Sequence, residues 1–258
     1  MRLLVVADIH YALAQYDWVT EVAPRFDAVI IAGDHLDTNS LVDLPTQIIV
    51  IQKYLERLRK VAQRLIICSG NHDLDTRDEA GEKVTRWILA PRKVGVPTDG
   101  DSLTIGDTLI TICPWWDGPR ARAGIDRQLD ADAARRGKKW FWVHHAPPKG
   151  APISWDGSRD YGDLELQQWI AKHAPDMVFC GHVHQAPFSA DGSWVDRVGS
   201  TWVFNAGRQI GAPPTYIVVD TEKQVALWLS DGRDEIVHLD APLRRPVAKM
   251  TDLPDWLV

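Results

Sequence analysis

The sequence predicts an α/β protein, built on a mixed sheet or two packed sheets flanked by helices, on three observations. Short β-branched apolar runs recur along the chain, stretches of helical period lie between them, and five of the runs end in a potential metal ligand. The five runs are residues 3–7 before Asp8, 28–32 before Gly33 and Asp34, and 65–68 before Ser69, Gly70 and Asn71; then 140–143 before His144 and His145, and 177–180 before Gly181 and His182. Runs apolar at consecutive positions suit strands buried on both faces. Between them, residues 44–62 place Ile48, Ile51, Leu55 and Leu58 at helical spacing among Lys53, Glu56, Arg57, Arg59 and Lys60, which predicts an amphipathic helix. Residues 79–89, 120–136 and 164–173 are weaker candidates of the same type. Strands alternating with helices imply a sheet that is at least partly parallel, and such sheets gather ligands beyond the carboxyl ends of their strands. The five polar clusters are expected to converge there.

Residues 102–112, 194–204, 216–220 and 225–230 read as short strands with tight turns such as Gly106-Asp107 and Asp191-Gly192, and hence as antiparallel additions. From Asp240 onward, Pro242, Pro246 and Pro254 suggest an irregular strap. With no repeat, low-complexity tract or composition shift, one domain over residues 1–258 is expected, its motifs within 1–207 and its last strands and tail in 208–258.

Composition narrows the class. At 45% hydrophobic and 25% charged residues the chain resembles ordinary globular proteins, and apolar runs such as 48–51 are far too short to cross a bilayer. The opening residues offer no secretory h-region, so the cytoplasm is the expected location. Cys68, Cys113 and Cys180 are too few for a disulfide framework. A net charge of −6 disfavours a protein that grips nucleic acid by neutralising many phosphates.

The chemistry lies in the clusters. Asp8 and His10, two apart on a strand exit, can turn toward one point, and His182 and His184 repeat that spacing. Neutral imidazole is a common ligand of zinc, iron and manganese. Asp34, Asn71 and one histidine of the 144–145 pair bring the set to seven oxygen and nitrogen donors, more than one tetrahedral zinc uses. Two metals are therefore expected, with Asp34 as the bridge between ions roughly 3.5–4 Å apart. His72 is placed to protonate a leaving alkoxide or to stabilise phosphoryl charge, and Asp73 to support its imidazolium.

The ordered set Asp8-x-His10, Gly33-Asp34, Gly70-Asn71-His72-Asp73, His145-x-Pro147 and Gly181-His182-x-His184 resembles the calcineurin-like metallophosphoesterase family. That resemblance implies a four-layer α/β/β/α sandwich of two mixed sheets. It implies that Asp8, His10, Asp34 and His184 hold one metal, and that Asp34, Asn71, His145 and His182 hold the other, His145 being chosen over His144 because the family reads His-x-Pro. The ions would be divalent or mixed-valence manganese, iron or zinc, and His72 the catalytic acid or phosphate-stabilising group. The implied activity is hydrolysis of a small phosphate monoester, diester or nucleotide by in-line attack of metal-bound hydroxide. A non-catalytic binding or scaffold protein of the same fold is the rival reading, and a nuclease the third.

Outside the set, His35, His173 and His238 read as surface or supporting histidines, Asp37 as a helix cap or supporting group, and the cysteines as core. Trp115, Trp116 and Trp155 could stack on a nucleobase, and Arg120, Arg122 or Arg159 could meet a phosphate, in loops 114–122 and 147–163.

Overall fold

The computed structural model describes residues 1–254. In its first half it runs β1 (Arg2–Val6), α1 (Leu13–Val22), β2 (Ala28–Ala32), α2 (Leu44–Val61), β3 (Leu65–Cys68), β4 (Thr76–Arg77), β5 (Lys83–Val84), β6 (Ser102–Ile105), β7 (Thr108–Ile112) and α3 (Pro119–Ala133). It continues with β8 (Lys139–Val143), α4 (Leu164–His173), β9 (Met177–Cys180), β10 (Val195–Val198), β11 (Thr201–Asn205), β12 (Tyr216–Asp220), β13 (Val225–Leu229), β14 (Glu235–His238) and β15 (Ala248–Lys249).

Two mixed sheets form the centre. One has the order β15-β14-β13-β12-β1-β2-β3, the other β10-β11-β9-β8-β7-β6. In the first, β1, β2 and β3 are parallel, and β12 joins β1 antiparallel. In the second, β7, β8, β9 and β11 are parallel, with antiparallel β6 and β10 at the two edges. All five ligand-bearing runs are strands of the parallel portions, so their carboxyl ends share one rim.

The side-chain period of two explains why these runs are apolar throughout. Along β1, Leu3 and Val5 face a core shared between the sheets with Ile30, Phe141, Phe179 and Phe204. Leu4 and Val6 face the other way, onto Tyr16 and Val19 of α1 and Ile51, Leu55 and Leu58 of α2. The second sheet repeats this: Trp140, Trp142 and Val178 pack outward against Ile125 and Leu129 of α3 and Leu166, Trp169 and Ile170 of α4. The result is a four-layer α/β/β/α sandwich, as the family resemblance implies, and it settles the sequence's choice between one mixed sheet and two packed sheets in favour of two. Among the described residues no helix is long and apolar enough to cross a membrane.

Helix α2 ends within a residue of its expected bound, started by Asp43, whose carboxylate accepts the Thr46 N–H at 3.0 Å. Residues 79–89 are a correction. They hold a turn, β5 and the first residues of a 3₁₀ segment over Trp87–Val94, not an amphipathic α-helix: Gly81 sits at φ 83°, and the Asp78 carboxylate accepts the Ala80 and Glu82 N–H groups, closing the β4–β5 hairpin.

Candidate metal centre

Backbone geometry at the strand ends already sets this region apart. Asp8, His10, Asp34 and His182 all adopt positive φ, at 54°, 45°, 55° and 71°. Left-handed conformations are uncommon for such residues and persist only where the surroundings hold them. Here the holding is explicit. Past the end of their strands the two chains stay tied, Asp8 N–H to Gly33 O at 3.1 Å, His10 N–H to Asp34 O at 2.9 Å and Tyr11 N–H to His35 O at 2.9 Å. Two glycines give the ligands room: a Cβ on Gly33 would collide with the His145 ring, and one on Gly70 with the Asp34 carboxylate.

Seven side chains converge. Asp8, His10, Asp34 and His184 offer one group of donor atoms within 4.8 Å of one another, and Asp34, His145 and His182 a second. Asp34 belongs to both. His10 Nε2 faces His184 Nε2 at 3.0 Å, and His184 Nε2 lies 3.3 Å from Asp8 Oδ1. Asp34 Oδ2 lies 3.2 Å from His145 Nε2 and 3.6 Å from His10 Nε2. Asn71 Oδ1 stands 2.8 Å from His182 Nδ1, which adds the seventh residue.

These separations fit a cation. Donors each about 2 Å from one ion stand roughly 3–3.5 Å from one another. Facing imidazole nitrogens must share either a proton or an ion. His145 is the clearest case: its Nδ1–H donates to the Ala32 carbonyl at 2.7 Å, which aims the buried Nε2 at the Asp34 carboxylate, 3.2 Å away. A carbonyl that orients an imidazole in this way is usual for a metal-ligating histidine. The charge balance agrees. Burial works against ionising Asp8 and Asp34, yet His10 and His184 beside the first and His145 beside the second hold both below the usual carboxylate range. Burial likewise works against charging His145, yet Asp34 and Asp8 hold it up at about 10. The centre calls for positive charge.

His144 is turned away. Its Nδ1–H donates to Ala146 O at 2.9 Å, and its ring packs edge-on to Trp169 of α4 at 6.0 Å. Successive residues leaving a strand face opposite sides, so only one of the pair can reach the rim.

His72 is half-buried, with its ring edge-on to His10 at 4.6 Å. The Thr38 backbone N–H points at His72 Nδ1 from 3.3 Å and Thr38 Oγ1 lies 2.8 Å from it. Since a backbone N–H can only donate, Nδ1 is the acceptor and Nε2 carries the ring hydrogen. Burial lowers the His72 pKa.

Asp73 is a second correction. Expected beside the His72 ring, it is fully buried and bonded elsewhere: Oδ1 accepts the His35 and Leu36 N–H groups at 2.9 and 3.0 Å, and Oδ2 accepts Gly70 N–H at 2.8 Å. It clamps the Gly33–His35 turn to the Gly70–Asn71 turn, and Thr38 takes the place beside His72. His35, also buried, accepts from Tyr16 OH at 2.7 Å through Nδ1 and donates to Cys68 O at 3.1 Å through Nε2, and burial holds it neutral, down at about 4. His173 and His238 lie outside both donor groups. Asp37, expected as a cap or support, forms a third donor group with His10 and His72. Only its spacing of three after Asp34 could have hinted at that.

Of the loop aromatics, Trp115 reaches the centre, its ring 5.3 Å from His182 and 5.7 Å from His145. Tyr161, not singled out in the sequence, stands edge-on to His182 at 6.5 Å. Trp116 donates Nε1–H to Asp163 at 2.7 Å, and Trp155 lines a separate groove with Asp160 and Asp191. Arg120 and Arg122 are paired to Asp78 and Glu165.

A buried relay sets Trp115. Its N–H donates to Ser69 Oγ at 2.9 Å, Ser69 Oγ lies 2.6 Å from Asp99 Oδ2, and Ser69 N–H donates to Asp99 Oδ1 at 2.8 Å. Burial pushes the Asp99 carboxyl up to about 7 from its ordinary 3.8. The folded chain thus binds this proton more tightly than the unfolded one. Its contribution to stability is full below about pH 4 and is lost as pH rises through about 7. Asp99→Asn, which mimics the protonated acid, is expected to remove that fall: denaturant melts at pH 4, 5.5 and 7 should show the variant gaining on the parent as pH rises, and parallel curves would contradict the assignment.

A family model described as the calcineurin-like phosphoesterase superfamily domain matches residues 1–224. The solved structure of TT1561 of Thermus thermophilus is similar at 13% identity and a TM-score of 0.58, covering 92% of this chain and 98% of that one. The phosphopantetheinyl hydrolase PptH of Mycobacterium tuberculosis is similar at 14% identity and a TM-score of 0.51, covering 82% and 89%. At such identities the likeness is one of fold. A search of the curated proteins finds no match to this chain.

Proposed function

The chain belongs to the calcineurin-like phosphoesterase superfamily, and from that premise we propose that it is a metal-dependent hydrolase of small phosphate monoesters or diesters. The observation that carries this reading is Asp34 standing in two donor groups at once, with the buried Nε2 of His145 aimed at its carboxylate from 3.2 Å. Asp8, His10, Asp34 and His184 would hold one ion, and Asp34, Asn71, His145 and His182 the other; mixed oxygen and nitrogen donors suit manganese, iron or zinc. Such a pair supplies Lewis acidity toward phosphoryl oxygens and brings the pKa of a bound water toward neutrality.

The chain's own residues supply placement and charge stabilisation. His72, held by Thr38 with its hydrogen on Nε2, acts as a preorganised donor toward an oxygen of the phosphoryl group or of the leaving group. That tautomer favours charge stabilisation over proton delivery, because Nδ1 already accepts from a backbone N–H and a doubly protonated ring would lose that bond. Trp115 and Tyr161 wall the His182 side.

The test is an assay of the purified chain with manganese, iron or zinc against aryl phosphate monoesters and diesters. Hydrolysis is expected, abolished by a chelator and restored by metal. His72→Asn is expected to lower kcat by about 100-fold with metal content retained. No turnover of any ester with any metal would overturn the reading in favour of a binding protein.

A further inference from the structure

We propose that Arg159 and Tyr161 form a subsite for a second phosphate group on the substrate, so that the preferred ester carries two phosphates. The inference rests on the phosphoesterase reading of the metal centre and names the kind of molecule that centre takes.

Residues 147–163, between β8 and α4, form a loop closed on itself: Asp163 N–H donates to Pro147 O at 2.7 Å and Lys149 N–H to Asp163 O at 3.0 Å. Within it, Asp156 Oδ1 accepts the N–H groups of Ser158 and Arg159 at 2.7 and 2.8 Å. Asp160 accepts Gly150 N–H, Ser154 Oγ–H and Gly162 N–H at 2.9, 2.6 and 2.7 Å. Both carboxylates are thus committed to loop donors, the role aspartate takes in tight turns. The loop holds its shape without the Arg159 guanidinium.

That guanidinium lies over the Tyr161 ring, its Cζ 4.1 Å from the centroid, and Tyr161 in turn stands 6.5 Å from the His182 ring. The other basic side chains of the two rim loops have carboxylate partners: Arg120 with Asp78 at 3.5 Å, Arg122 with Glu165 at 2.7 Å and Lys149 with Asp160 at 3.4 Å. Among the described residues no ion pair within 4.0 Å engages the Arg159 guanidinium; Asp156 is held below the usual carboxylate range first by the Arg159 and Ser158 backbone N–H groups and only lastly by the Arg159 charge. Of the basic side chains on these two loops, Arg159 is thus the one left exposed and without a carboxylate partner, one ring away from a candidate ligand of the metal centre. Cation–π attraction to the Tyr161 face holds the guanidinium on that side of the loop. A planar guanidinium presents parallel N–H donors, the geometry that grips a phosphate through two oxygens. A substrate whose scissile phosphate lies at the metals and whose body passes His182 would bring its second phosphate there.

The test uses two ligands that cannot be hydrolysed, pentylphosphonate and pentane-1,5-diphosphonate, titrated calorimetrically into the manganese-loaded protein. The parent is expected to bind the diphosphonate about tenfold more tightly, beyond the twofold statistical advantage of two equivalent ends. Arg159→Gln should bring that ratio to about twofold, Arg159→Lys should leave it between the two, and added salt should shrink it in the parent. A ratio unchanged by Arg159→Gln, or one near two in the parent, overturns the inference while leaving the phosphoesterase reading in place. If the parent shows neither metal-dependent binding of pentylphosphonate nor turnover of aryl phosphates, both fall together.

Discussion

Replacing Asp34 by asparagine is expected to lower kcat/KM for phosphate esters by about three orders of magnitude, equivalent to about 4 kcal/mol of transition-state stabilisation. It should also reduce bound metal below two ions per chain. Asparagine keeps the shape of the side chain, and its carbonyl oxygen can still accept the His72 N–H that Asp34 Oδ1 accepts at 2.8 Å. What changes is the atom facing His145 and His10. There Oδ2 lies 3.2 and 3.6 Å from their Nε2 atoms, and an amide NH₂ in its place would bring hydrogens where the proposed ions would need an oxygen. Because this one side chain belongs to both donor groups, the loss strikes both. Metal analysis of the purified variant, beside its rate on an aryl phosphate and its circular dichroism, checks the claim. Full metal content with a rate within tenfold of the parent would remove Asp34 from the bridge.

Asp73→Ala should act on stability first. It strips three buried backbone N–H groups, those of His35, Leu36 and Gly70, of their acceptor. A buried donor left unsatisfied costs about 1–3 kcal/mol, so a loss of about 4 kcal/mol in unfolding free energy is expected. Asp73→Asn should recover part of it, since one amide oxygen can still serve His35 and Leu36 while its NH₂ confronts the Gly70 N–H. The contrast with His72→Asn separates the two neighbours: the His72 variant should lose rate and keep its melting temperature, whereas the Asp73 variant should melt early. A denaturant curve for Asp73→Ala within 1 kcal/mol of the parent would return Asp73 to the role beside His72 from which the structure removes it.

The fate of Asp73 marks the boundary of what residue order can say. Gly70-Asn71-His72-Asp73 shows that four polar residues follow a strand, and Asn71 and His72 do reach the centre. Which way each side chain points depends on the local turn, a short 3₁₀ segment over Asn71–Asp73 that sends Asp73 inward. The partner that takes its place, Thr38, lies 34 positions away from His72. Residue order likewise leaves His144 and His145 as equivalent donors, and only the family resemblance favours the second. In the structure the distinction depends on Ala32 O, 113 positions distant, which orients the His145 ring. Tyr161 carried no signal at all, because its relevance arises from a loop closed by aspartates and laid against His182.

Helices divide in the same way. Residues 44–62 were legible because charged and apolar faces alternate over five turns, whereas α1, over Leu13–Val22, has weak amphipathy and becomes a helix through packing of Tyr16 and Val19 on the first sheet. Residues 79–89 mimic a helical pattern, yet the glycine turn at Gly81 and its aspartate cap make a hairpin.

By itself, then, the sequence determined the layered α/β plan and the residues arriving at its rim, because the five strands that carry the clusters are apolar along their length and turn polar where they end. The tertiary structure alone decided which of those residues meet, which merely brace the turns, and which loop reaches over them. Those outcomes depend on hydrogen bonds and ring contacts between segments far apart in the chain, and burial sets their strength, a quantity that no local pattern of residues contains.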